Sequence, residues 1–482
     1  MKKRYIFLTL TLCFFGVIYT NAQTWTQVGS DIDGEAASDN SGQSVSLSSD
    51  GSTVAIGGRY NDGNGTSAGH VRIYKDSSGT WTQIGSDIDG EAAGDESGFV
   101  SLSSDGSTVA IGALANDGNG TNSGHARIYK NISGTWTQVG SDIDGEAGGD
   151  LSGYSVSMSG DGNIVAIGAS LNSGNGTSAG HARMYKNISG TWTQQGSDID
   201  GEASGDRSGI SVSLSSDGSN VAVGAINNDG NGSNSGHVRV FKNISGTWIQ
   251  QGSDIDGEAA GDQFGISVSL SSDGSAVAVG ARSNDGNGSN AGHVRIYKNI
   301  SGTWTQVGSD IDGEAANDYC GQSVSLSSDG SIVAIGARSN DGNGSNAGHV
   351  RIYKNISGTW TQVGSDIDGE AAGDASGHSV SLSSDGSIVA VGAYGNDGNG
   401  GSAGHVRIYS ISTCTTTSST DTITSCGPYT WTDGKTYTSS NNTAKDTFTN
   451  AAGCDSIVTL DLTIISSQID TVLVDQFTMT FR

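Results

Sequence analysis

A unit of about 56 residues, repeated seven times almost letter for letter, constrains this chain more than any other feature. Its tryptophan recurs at Trp25, Trp81, Trp136, Trp192, Trp248, Trp304 and Trp360, spaced 56 residues apart five times and 55 once. Each copy must fold into the same piece of structure, and neighbouring copies must bury one another. The copy from Trp304 to Thr359 reads WTQVGSDIDGEAANDYCGQSVSLSSDGSIVAIGARSNDGNGSNAGHVRIYKNISGT. Four runs in each copy have the look of strands, separated by Gly, Asn, Asp and Ser clusters. In the first they are Trp25–Gly29, Ser44–Ser48, Thr53–Gly57 and His70–Tyr74. Val45 with Leu47, Val54 with Ile56, and Val71 with Ile73 show the period of two of a pleated strand. Asp50-Gly51 between the second and third runs signals a hairpin. Apolar residues at helical spacing are absent from the repeat.

Four strands repeated seven times predict an all-β fold, a seven-bladed β-propeller, with an open solenoid as the competitor. The array opens on a lone WTQVG and ends, at Gly404 to Tyr409, on GHVRIY without one. The first strand can therefore complete the seventh blade, whereas a solenoid would leave both edges bare. With 34% apolar residues and 76 glycines the chain suits many small cores, to which the tryptophans add buried area. The second copy has GFVSLS where the first has GQSVSLS, so a register adjustment is expected there.

The pattern G-x-S-V-S-L-S-x-D-G-x-x-V-A-I-G-A-x-x-N-D-G-N-G-x-x-x-G-H-V-R-I-Y resembles the FG-GAP repeats of integrin-α-like propellers. The fifth copy keeps the name-giving pair as Phe264-Gly265, and the GAP triplet survives as Gly-Ala, for example Gly336-Ala337-Arg338. The resemblance implies a binding or adhesion propeller. Many such propellers hold calcium in a D-x-D-x-D-G-x-x-D loop between the first two strands of a blade. Here that connection is SSDGS, too short to wrap an ion.

With 50 acidic against 23 basic residues the formal charge is −27, which disfavours nucleic acid and anionic lipid as partners. The acids are not spread evenly. SDIDGEAxxD and NDGNG are expected on one face of the disc, and together they hold 34 of the 50 acidic residues. Such loops offer oxygen ligands to calcium, and the candidate ligands are Asp31, Asp33, Glu35, Asp39, Asp87, Asp89, Glu91, Asp95, Asp310, Asp312, Glu314 and Asp318. The competing reading is that they are solvated acids that cap turns. Seven of the eight histidines share one repeated place, from His70 to His405, which points to bonds with a turn or neighbouring strand. His378, the eighth, has no evident partner. No nucleophile elbow, zinc motif or phosphate loop rises above the repeats, so the sequence reading is that the chain is not an enzyme.

The opening MKKRYIFLTLTLCFFGVIYTNAQ has a basic start, an apolar run and a cut site after Ala22, as an export signal does. After Tyr409 the repeat gives way to Thr-rich alternating runs, with Cys426 and Cys454 the best disulfide pair and Cys414 left over or paired elsewhere. This segment resembles the short modules of large secreted proteins of Bacteroidetes, many of them exported by type IX secretion. The expected organisation is a signal over 1–22, a propeller over 23–411, a small β-sandwich-like module over 412–464 and a tail over 465–482. The functional expectation is a monomeric, secreted or surface-associated binding propeller. Its partner would be an extracellular protein, matrix component or glycan, met by the acidic loop face without membrane insertion. The alternatives are a multivalent lectin, with variable loop residues such as Tyr60 and Tyr394 stacking on sugars, and a structural spacer.

Overall fold

The computed structural model describes residues 23–411, 417–449 and 455–465. Thr24–Ser412 forms one compact unit. Its first strands are β1 (Trp25–Gln27), β2 (Ile32–Asp33), β3 (Ser41–Leu47), β4 (Thr53–Gly58), β5 (His70–Asp76), β6 (Trp81–Gln83) and β7 (Ile88–Asp89). The first blade is the antiparallel sheet β3-β4-β5-β6, with the short β7 added beside β6 on β5. The same five-stranded sheet recurs in all seven blades. In the seventh, Ser379–Leu382, Ile388–Ala393 and His405–Ile411 are joined by β1 and β2 from the start of the chain. Trp25 pairs with Ile411, Thr26 with Ser410 and Gln27 with Tyr409, so the ring is a closed seven-bladed propeller.

A second set of bonds closes the ring around its axis. The Ser49 N–H donates to Ser104 O, and the relay runs through Gly160, Ser216, Ser272 and Ser328 to Ser384, whose N–H donates back to Ser49 O, at 2.7–2.9 Å. Each tryptophan adds a link further out. Trp81 Nε1 donates to Val28 O of the preceding blade, as does every equivalent indole up to Trp360, at 2.7–2.9 Å. An apolar cluster fills each junction. Between the seventh and first blades Val45, Leu47, Val54 and Ile56 meet Ala390, Val406 and Ile408. These are the inward positions of the period-two runs, covered on both faces by neighbours.

The strands depart from their expected limits for local reasons. β3 starts three residues before Ser44 because Gly42 and Gln43 bulge out between the pairs Ser41–Gly58 and Ser44–Gly57. In the second blade the corresponding pairs are Ser97–Ala113 and Phe99–Gly112, leaving only Gly98 over. The missing residue is thus absorbed inside a bulge, and the register beyond it is unchanged. The acidic loop is also not all loop, since β2 and its equivalents pair with the third strand of the blade.

In the other unit Thr417–Ser425 runs parallel to Asp455–Ile464, which also pairs with Lys445–Thr449. Trp431, Leu460 and Leu462 form its core, and Trp431 Nε1 donates to Asp421 Oδ2 at 2.9 Å. Cys426 is exposed. Its expected partner Cys454, together with Cys414, the signal over 1–22 and the tail beyond Ile465, lies outside the described residues. Among the described residues no helix is long and apolar enough to cross a membrane.

Candidate functional site

The acidic and NDGNG loops meet at one end of every blade because the strand ends that carry them do. Asp33 pairs with His405, Ser41 with Gly58, and Gly58 with His70. Across each junction the two loops are zipped together. Gly69 bridges Ser97, the Gly90 N–H donates to Gly69 O at 2.8 Å, and Asn64 Nδ2 donates to Gly90 O at 2.8 Å. Some of the repeated acids are used by the loops themselves. Asp39 is buried and accepts the N–H groups of Ala36 and Glu35 at 2.9 and 3.1 Å and Asn61 Nδ2 at 3.1 Å. Asp95 and Asp318 cap in the same way, and Asp62 accepts the Ser67 N–H at 2.7 Å.

The other acids of one loop diverge, so the four carboxylates do not surround one ion. Asp31 Oδ2 lies 3.5 Å from His405 Nδ1, whereas Glu35 Oε2 lies 3.7 Å from His70 Nδ1 in the next blade. Asp33, Asp89 and Asp312 instead lend their backbone carbonyls to Arg72, Arg127 and Arg351, at 2.6, 2.7 and 2.9 Å. Each junction therefore assembles a histidine, an aspartate and a glutamate from three separate stretches. Around His70 they are Glu35 and Asp87, the latter at 3.6 Å. Around His125 they are Glu91 and Asp142, and around His349 they are Glu314 and Asp366. Asp310 faces His293 at 3.7 Å.

The ligand atoms of such a cluster lie within 4.8 Å of one another, and clusters of this kind can hold a metal ion. For four of the seven repeated histidines the expected side-chain bond to a turn or strand is not made. Both ring nitrogens of His70, His125, His181 and His237 are buried without a hydrogen-bond partner. Burial, then the adjacent arginine, pulls His237 and His349 down to about 4 against the pull of Asp254 and Asp366. His125, His181 and His405 shift the same way for the same reasons. A neutral imidazole keeps a lone pair for a cation, and a nitrogen donor suits zinc or manganese better than calcium. Arg72 Nη1, 3.9 Å from Glu35 Oε1, competes for the same carboxylate.

A second site has no motif in the sequence. In three columns of the repeat the seven copies carry five or more residue types, those of Asn40, Arg59 and Tyr60, and the Gln43 column, from which the second copy lacks a residue, carries four. All four lie at the rim end of the blade, at the start of β3 or just beyond β4. The Gln43 column, which includes Tyr154, Gln322 and His378, lines the axial channel there together with Phe99, which stands at the Ser44 position of its copy. The signal for this site is variation among otherwise identical copies, which converges once at the axis.

A closed ring of seven four-stranded blades, each with an added edge strand, makes the chain a β-propeller. FG-GAP repeats are detected in it: the profile of that family matches residues 192–241, 255–297 and 309–353, and the remaining copies carry nearly the same letters. No curated protein matches the sequence. Solved structures similar to the chain include a Bacteroides uniformis protein assigned as a 6-phosphogluconolactonase, with 14% identity, a TM-score of 0.49 and coverage of 68% of this chain and 85% of that one. Another is hydrazine synthase of Kuenenia stuttgartiensis, at 13%, 0.47, 76% and 94%. A third is the periplasmic gluconolactonase of Pseudomonas aeruginosa, at 17%, 0.48, 68% and 85%. Two of the three carry lactonase names, and on that finding the exclusion of catalysis drawn from the sequence does not stand. At these identities and scores the likeness assigns no activity to this chain.

Proposed function

We propose that this propeller is an exported binding module that meets an extracellular protein or matrix partner through its acidic rim. The observation that carries the reading is the interlocked pair of loops at one end of every blade. It gives a rigid, sevenfold surface with Glu35 and its equivalents exposed on it. Rigid loops lose little entropy on binding, and a single sign of charge steers a complementary partner. A divalent cation belongs to this reading: calcium, for which the acidic loops call, or an ion that accepts imidazole.

The test is surface plasmon resonance against extracellular matrix proteins, with the parent chain and one carrying Glu→Gln at Glu35 and its six equivalents. Binding that weakens with salt and in the variant supports the rim as the contact. Equal binding by the two chains removes the rim from the reading. Adding EDTA lowers the melting temperature if a cation bridges the rim, and restoration by zinc or manganese but not calcium identifies the donor set in use.

A specific feature favours a lectin as the second reading. Asp31, Asp33, Tyr74, Thr80 and Trp81 line a groove of about 290 Å3 between two blades, and equivalent grooves of about 320 and 480 Å3 lie beside Trp136 and Trp248. Repeated shallow sites of aromatic and carboxylate character suit sugars bound weakly and many at once. A glycan array separates the readings, since binding graded by sugar type selects the grooves.

A further inference from the structure

Three arginines, Arg59, Arg282 and Arg338, lie near enough to His378 of the axial channel to act on its charge, in a chain of formal charge −27. Arg59 is compensated: it pairs with Glu96 and lies over the rings of Tyr60 and Phe99 at 5.1 and 5.6 Å. Arg282 and Arg338 have no carboxylate partner among the described residues. Arg282 donates only to neutral amide oxygens, from Nε to Gln263 Oε1 at 3.0 Å and from Nη1 to Gln322 Oε1 at 3.2 Å. Arg338 stacks on Tyr319 at 5.6 Å, and its Nε is buried without a hydrogen-bond partner. His378, edge-on to Tyr394 at 4.6 Å, adds no compensating charge. Burial, then Arg338, Arg282 and Arg59, pulls it down to about 3, and its Nδ1 is buried without a partner. Arg338 lies close enough to Arg282 to act on its charge, and two cations with only neutral hydrogen-bond and ring partners oppose folding, so the pair suits an incoming anion.

The backbone shows the same commitment. Asn40, Glu96, Leu151, Arg207, Gln263, Tyr319 and Ala375 occupy one column with φ between 53° and 57°. A non-glycine residue there costs on the order of 1 kcal/mol, yet none of the seven is glycine. The axial channel beside them offers a space of about 220 Å3, walled by Gln43, Phe99, Tyr154, Ile210, Gln322 and His378. Phe99 and Tyr154 stack at 5.4 Å. That space exceeds the ~150 Å3 that accepts a benzene ring.

We propose that the axial channel binds one small, ring-bearing carboxylate per chain, with its carboxylate between Arg282 and Arg338 and its ring against Phe99 and Tyr154. The surrounding acidic rim turns away polyanions and admits a single carboxylate, which bidentate guanidinium bonds then recognise. This site is independent of whatever the rim contacts.

Calorimetric titration of the full chain with benzoate, and with benzamide as its neutral counterpart, tests the assignment. The expected result is one benzoate per chain, with benzamide at least tenfold weaker. Arg282→Gln and Arg338→Gln should each weaken benzoate roughly tenfold or more. Equal affinity for benzamide, seven sites per chain, or no benzoate binding at millimolar concentration overturns the proposal. The benzamide comparison needs no variant, so it decides the question even where an arginine substitution unfolds the protein.

Discussion

How closely two blades approach is set by single glycines. A Cβ on Gly57 would lie 1.8 Å from Gly98 O of the next blade, and one on Gly112 would lie 2.0 Å from Gly153 O. The obstacle is backbone, which cannot turn aside as a side chain can. Gly57→Ala is therefore expected to cost ~2 kcal/mol or more, read as a lower urea midpoint, and an unchanged midpoint would mean a looser junction. The need for small residues at the junctions was legible in the Gly-Ala pair of six copies and the Gly57-Gly58 pair of the first. The carbonyl opposite each glycine was not, because that contact crosses from one copy to the next. The axial residues were hidden for another reason. Arg282, Arg338 and His378 interrupt a repeat, and a reading that seeks what recurs passes over them.

The third strand and the loops beside it favour the neutral form of His125, His181, His237, His293, His349 and His405. In His237 and His349 the folded value of about 4 lies below the ordinary 6.5, so the native state binds fewer protons than the unfolded one between these limits. Stability is then whole above pH 6.5 and falls as the pH drops toward 4. We expect a melting temperature level from pH 8 to 7 that declines by several degrees over that window. A flat profile would mean that these imidazoles are already charged in the fold. The hairpin aspartates act lower on the scale. Burial opposes ionisation of Asp50, but bonds from Ser48 and Ser52 outweigh it and hold its carboxyl below the usual range. The hairpin itself was legible from Asp50-Gly51. The strand Ile32–Asp33 was not, because two residues carry no period and only its partner on the third strand defines it.

For the molecule as a whole, closure was the most legible property, since WTQVG at one end of the array matches the strand lacking at the other. A chain without Trp25–Gln27 would leave the edge of His405–Ile411 bare and Val363 O without the Trp25 indole that donates to it at 2.8 Å. Its urea midpoint should fall, and light scattering should show association through the exposed edge, growing with concentration. A monomer as stable as the parent would mean that the ring holds without its clasp. The clasp also sets an order in time. β1 is made first, and its partner strand appears only after more than 370 residues have followed it. Meanwhile six other third strands, all reading HVRIY or close to it, offer the same letters. Sequence complementarity cannot tell β1 which of them to join. The choice is made by vacancy: each of the six is followed within a few residues by its own Trp-bearing strand, and only the seventh is left waiting.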